Sequence, residues 1–256
     1  MAKLIFRYYS QPLTPEEEKL EKKIFKFSLV IPVIFLIIIW MVKIAETFSG
    51  IQALQWGLQP RNIKGIIGVL TSPLIHADYK HLVANSTSFL VLSTALFYFY
   101  RKVALKVFLL NYLISGILLW LGGRAATHIG ASGVIYGLAA FLLLSGVLMR
   151  DLRLLTISLI VVFLYGSMIW GLFPIEPGIS WDGHLMGAVS GVTLSLLFYK
   201  QGPPTQPHGW FNDKEDDDEE DDDNEDRYWE STDDEELPNT NQVEIEGQKN
   251  VNSTGI

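Results

Sequence analysis

The stretch "GASGVIYGLAAFLLLSGVLMR", residues 130–150, decides what kind of protein this is. Between Gly130 and Arg150 it carries no charged residue. About 20 apolar residues at helical rise cover the roughly 30 Å of hydrocarbon in a bilayer, so the segment reads as a membrane-spanning helix. It starts on a serine set among glycines. Taken alone, Ser132 reads as packing, because small residues let transmembrane helices approach closely, and Gly133 and Gly137 fit that reading. The stretch is also not the G-x-S-x-G elbow of soluble hydrolases, since Gly133 directly follows the serine. What Ser132 does depends on what other segments bring to its depth.

Working outward, six runs are long and apolar enough to span: about 26–45, 81–100, 103–122, 132–150, 153–173 and 183–200. Helices are the reading, because open strands would leave unpaired edges in lipid. The first run is no ordinary signal peptide, since 25 residues with several charges precede it and no small-residue cleavage site follows promptly. Nearly half of the 256 residues are hydrophobic, but unevenly so. Residues 1–200 hold 17 Lys/Arg and 9 Asp/Glu, for a net charge of +8; residues 201–256 hold 3 and 19, for −16. The chain has no cysteine, which excludes disulfides and thiolate metal sites.

Lys and Arg near the span ends set orientation. They concentrate in the N-terminal arm (Lys19, Lys22, Lys23, Lys26), the second loop (Arg101, Lys102, then Lys106), the fourth (Arg150, Arg153) and after the last span (Lys200). The fifth loop, "PIEPGISWDG", has none, and the third has only Arg124. Both termini are therefore expected in the cytoplasm. The second, fourth and sixth helices then all start at the external face, with His81, Ser132 and His184 among their first residues. Helix N-termini also present unpaired N–H groups and a positive dipole end toward any developing anion.

His184 lies in "WDGHLMGAVSG", followed by Gly187 and Gly191 at the spacing of close helix contact. Ionisable residues inside spans are costly and point to function. If the glycine faces of helices four and six meet, the neutral imidazole can take the Ser132 proton and return it to a leaving amine. Tyr136, one turn below the serine, is placed to pack its ring on that imidazole. In "HADYKHLVANS", His81 and Asn85 share a helix face and, with the Ser132 N–H, form a set of donors for an oxyanion. His76 precedes them in the loop, where an inward pose is not forced. Other hydrolytic chemistries lack their residues: there is no H-E-x-x-H and no intramembrane carboxylate pair. Asp182, two residues before His184, is expected to face water rather than complete a triad, and His128 to sit at the lip or on the surface. No metal or cofactor is expected.

The three motifs "HADYKHLVAN", "GASGVIYG" and "GHLMG", on helices two, four and six, resemble the rhomboid family of intramembrane serine proteases over roughly residues 50–200. The resemblance implies an all-α six-transmembrane-helix bundle with a Ser132–His184 dyad and no catalytic acid. His81 and Asn85 would assist the oxyanion, Tyr136 would support the histidine, and Gly130 would shape the loop before the nucleophile. It also implies single-pass transmembrane substrates, cut near the external face after a small residue, entering between helices two and five. Bulky Phe89, Phe97, Phe163 and Trp170 stand on those two helices. One departure stands out. Many members carry a Trp-Arg pair about nine residues before the first histidine, where this chain has Ile67 and Gly68; Arg61 is the candidate substitute.

The chain thus divides into an N-terminal cytoplasmic arm (1–26), a membrane protease domain (27–200) and an acidic cytoplasmic tail (201–256). Dense like charge such as "EDDDEEDDDNED" cannot bury a core, so the tail is expected to be disordered. It names no partner, although Trp210, Tyr228 and Trp229 are aromatic contacts for a basic one. Membrane lipid and transmembrane substrates are the expected partners, with no nucleic acid. The absence of a long presequence points to a bacterial plasma membrane. A proteolytically silent binder of transmembrane clients is the rival reading, and a small transporter a weaker one.

Overall fold

Thr14 and Glu17 cap each other: the Thr14 hydroxyl accepts the Glu17 N–H and the Glu17 carboxylate accepts the Thr14 N–H at 2.8 Å, with Pro15 at the first helical position. This capping box starts a helix, α1 (Pro15–Ser28), in a segment the charge pattern marks only as an arm. The chain continues through Leu29 into α2 (Val30–Ser49), which Gly50 ends in a left-handed conformation. In α1, Phe25 meets Tyr98 edge-on and Glu21 accepts the Tyr98 hydroxyl, so the amphipathic helix docks on the end of the second span. The computed structural model describes residues 14–164, 170–174 and 180–202; the acidic tail, with Trp210, Tyr228 and Trp229, lies outside the described residues.

The remaining spans follow the expected boundaries closely: α4 (Tyr79–Phe99), α5 (Ala104–Gly122), α6 (Ser132–Met149) and α8 (Trp181–Phe198). The fifth run is described as a helix, α7, over Leu152–Leu164. Among the described residues there are no strands, and α1 through α2, α4, α5 and α6 are long and apolar enough to cross a membrane. The chain is a multi-pass all-helical membrane protein.

In lipid there is no hydrophobic drive between helices, so packing and interhelical hydrogen bonds must hold the bundle. Helix α6 occupies the centre, against α4, α5, α7 and α8, and its contact with α8 is the most extensive. That seam is glycine-lined. A Cβ on Gly187 would lie 1.9 Å from the Gly133 carbonyl oxygen, and one on Gly191 2.0 Å from that of Gly137. Further along, Ser145 and Ser195 hydrogen-bond across it at 2.9 Å. On the α2–α4 side Phe35 stacks on Phe89 at 4.4 Å, and the Trp40 indole donates to Ser86. Phe89 is therefore core rather than gate, whereas Phe163 and Trp170 are exposed.

The first loop is not loose either. It folds into short 3₁₀ turns at Ala53–Trp56, Ile63–Ile67 and Ser72–Leu74, with one helical turn, α3 (Gly68–Thr71), between the last two. The Trp120 indole donates to the Asn62 carbonyl at 3.0 Å, the Trp120 carbonyl accepts the Arg61 N–H, and the Tyr112 hydroxyl donates to Leu70. Leu58 pairs with His128 of the third loop in an isolated antiparallel bridge. The missing Trp-Arg pair has a steric reason at its second position: a Cβ on Gly68 would fall 2.2 Å from Leu58 Cα. Arg61 contributes its backbone at a positive φ of 57°, so the loop is anchored mainly from α5.

Candidate active site

Ser132 is the first residue of α6, so its N–H has no partner inside the helix. His184 is the fourth residue of α8 and sits directly opposite. The close Gly133–Gly187 approach brings its Nε2 to 2.8 Å from Ser132 Oγ. On the other side of the ring, Nδ1 lies 2.8 Å from the Gly171 carbonyl oxygen. A carbonyl only accepts, so Nδ1 carries the proton and Nε2 turns its lone pair to the serine hydroxyl. Tyr136 lies flat on the imidazole, with ring centroids 4.2 Å apart and planes 8° apart. The histidine is thus held at both ring nitrogens and on one face.

Gly130 adopts φ +104°, a conformation that favours glycine, and its N–H donates to the Ser72 carbonyl. A Cβ there would lie 2.7 Å from His81 Cε1 and 3.5 Å from Asn85 Nδ2. The backbone before Ser132 therefore passes against the two side chains expected to face it. On α4, Asp78 caps the helix by accepting the His81 N–H at 2.7 Å, a bond that holds its carboxyl below the usual range. Asn85 is buried, and its Nδ2 has no hydrogen-bond partner among the described residues. An unpaired buried donor is costly, and here it borders the serine in a cavity of about 480 Å³ lined by His81, Asn85, Ser132, Tyr136 and His184.

His76, whose loop position leaves its pose open, is buried at 2% exposure. Its Nε2 accepts the Ala131 N–H at a long 3.5 Å, and its ring meets that of His81 edge-on at 5.2 Å. Burial, with the nearby His81, pushes it down to about 4, so it is neutral near pH 7. Gly137 faces Asn111 of α5, whose Nδ2 donates to the Val134 carbonyl.

One expectation is corrected and another narrowed. Asp182 does not face water: at 3% exposure its Oδ2 accepts the Arg124 N–H at 2.9 Å. Of the two places expected for His128, the surface is excluded and the lip is found: it is 3% exposed and lines the same cavity as Ser132 and His184, with Nδ1 2.7 Å from Ser180 Oγ. Asp182 is held inside by the third loop, through the Arg124 N–H and His128, and His128 is itself paired through its backbone with Leu58 of the first loop. Sequence reasoning also passed over Lys43. Its ammonium pairs with Glu46 at 2.9 Å and donates to the His76 and Ala77 carbonyls at 3.0 Å each, pinning the turn that leads into α4. The signal was present: a Lys and a Glu three residues apart at the end of an apolar run.

Comparison with known proteins adds an independent line. The model of the Rhomboid domain matches residues 64–201. An uncharacterised protein of Mycobacterium tuberculosis is 34% identical over 176 residues, 64% of this chain and 72% of its own. One of Mycobacterium leprae is 30% identical over 175 residues, covering 64% and 68%. A Bacillus subtilis protein named "Putative rhomboid protease YdcA" is 31% identical over 134 residues, covering 50% and 65%.

Proposed function

The chain belongs to the rhomboid family, and from that premise we propose that it is an intramembrane serine endopeptidase with a Ser132–His184 dyad. The observation that carries this reading is the 2.8 Å approach of His184 Nε2 to Ser132 Oγ, with Nδ1 committed to a backbone carbonyl. Ser132 Oγ attacks the scissile carbonyl carbon while its proton passes to Nε2. The resulting oxyanion is met by the Ser132 N–H, Asn85 Nδ2 and the His81 ring, donors aimed before charge develops. The C–N bond then breaks and His184 gives its proton to the leaving amine. Water hydrolyses the acyl ester in the same way, with the proton again relayed through His184.

The substrates are single-pass transmembrane proteins, cut near the external face where their helix unwinds, after a small residue. Residues 27–200 form the protease domain, flanked by the arm at 1–26 and the acidic tail at 201–256, with both termini in the cytoplasm. Bacterial relatives fit a bacterial plasma membrane. The test is co-expression with a tagged single-pass substrate. Cleavage that disappears in Ser132→Ala supports the reading, and a substrate panel left intact by folded wild-type protein contradicts it.

A further inference from the structure

The serine and the histidine of the proposed dyad are each followed back along the chain by a second contact between the same two segments. His128 stands four residues before Ser132 and Asp182 two before His184, and His128 Nε2 lies 3.6 Å from Asp182 Oδ2. Both residues are 3% exposed. Around them the polar contacts close on one another. Asp182 Oδ2 accepts the Arg124 N–H at 2.9 Å; its Oδ1 lies 3.4 Å from Ser180 Oγ and 3.7 Å from Arg124 Nε. His128 Nδ1 meets Ser180 Oγ at 2.7 Å, and Nε2 meets the Arg124 carbonyl at 3.2 Å. Ser180 in turn offers its carbonyl to the His184 N–H at 3.1 Å, the bond that opens α8.

A buried carboxylate is costly unless its oxygens are satisfied, so a cluster of this kind holds its members to one geometry. Asp182 is not the acid of a triad, because His184 Nδ1 is occupied by Gly171. We propose instead that Asp182 and His128 are positioning residues. They form a buried brace that locks the first turn of α8 to the loop entering α6 and so sets the distance between His184 and Ser132. The proposal rests on the dyad reading above. A misplacement of about 1 Å at reacting groups can lower a rate on the order of 100-fold, so a brace one turn away has leverage on turnover without touching substrate.

The test uses detergent-solubilised full chain. It compares wild type with Asp182→Ala, Asp182→Asn, His128→Ala, the double alanine variant and Leu194→Ala, a packing lesion at a buried site further along α8. The readouts are the rate of fluorophosphonate labelling at Ser132, kcat and KM on a single-pass substrate, and melting temperature. Asp182→Ala and His128→Ala should each lower labelling rate and kcat about ten-fold or more with KM within about two-fold. The double variant should be no worse than the worse single, as for one shared contact. Asp182→Asn keeps an acceptor for the Arg124 N–H and should fall between; it also carries the test if the alanine variant does not fold. Leu194→Ala should lower melting while leaving kcat unchanged. Wild-type labelling and kcat in both Asp182 variants, or a loss that tracks melting as Leu194→Ala defines it, overturns the brace and leaves the protease reading standing. Folded wild-type protein that takes no label overturns that reading and the brace with it.

Discussion

Gly187 of α8 and Gly133 of α6 touch through their backbones: a methyl group on Gly187 would fall 1.9 Å from the Gly133 carbonyl oxygen. This contact lets a histidine on one helix reach a serine on the other. Gly187→Ala must push the helices apart, at a cost of about 1–3 kcal/mol for overpacking. Melting should drop and turnover should fall more steeply than stability alone explains. Gly191→Ala, one turn further from the dyad, should cost similar stability with a smaller loss of turnover. Melting curves and kcat on the two variants check this.

Gly130→Ala should leave the bundle folded and damage catalysis. The new methyl would lie 2.7 Å from His81 Cε1 on a backbone at φ +104°, a strain on the order of 1–3 kcal/mol. It displaces His81 and Asn85, the proposed oxyanion donors; loss of one such donor elsewhere costs roughly 100- to 1000-fold. We expect kcat/KM to fall at least ten-fold with melting changed by only a few degrees, measured on the same purified samples.

Lys43→Met removes the cation that pins the His76–Ala77 turn and leaves the Glu46 carboxylate without its partner. Breaking a largely buried pair from one side destabilises by about 2–3 kcal/mol after allowance for the partial exposure of Glu46. Activity should fall with it, because the turn leads directly to His81. The double variant Lys43→Met with Glu46→Gln should recover stability relative to the single, as read by thermal unfolding.

His76 makes stability depend on pH. Its folded value is about 4 against an ordinary 6.5, so between those values the unfolded chain binds the proton and the folded chain does not. Stability contributed by the neutral ring is therefore fully present above about 6.5 and is lost as pH falls toward 4, by up to about 3 kcal/mol. His76→Gln should flatten the decline of melting temperature over that window. An unchanged slope would place the titrating group elsewhere.

Most of the bundle was legible because lipid imposes simple arithmetic on span length. Helix α6 begins at Ser132 and α5 ends at Gly122, as the hydropathy pattern places them. The glycine seam was legible for the same reason: in lipid, small residues at spacing four are the packing code. What escaped lies outside that arithmetic. The α1 helix depends on the Thr14–Glu17 capping box, a local signal that a charge count overlooks. Asp182 and Lys43 were misjudged or missed because their partners come from loops distant in sequence, Arg124 and His128 for the one and the His76–Ala77 turn for the other. Non-local contacts of that kind leave no periodicity in the sequence.

The most direct test of the central claim is fluorophosphonate labelling of detergent-solubilised wild type, Ser132→Ala and His184→Ala. The 2.8 Å contact between His184 Nε2 and Ser132 Oγ predicts labelling of wild type alone. Labelling of His184→Ala at the wild-type rate, or none in folded wild type, would contradict it.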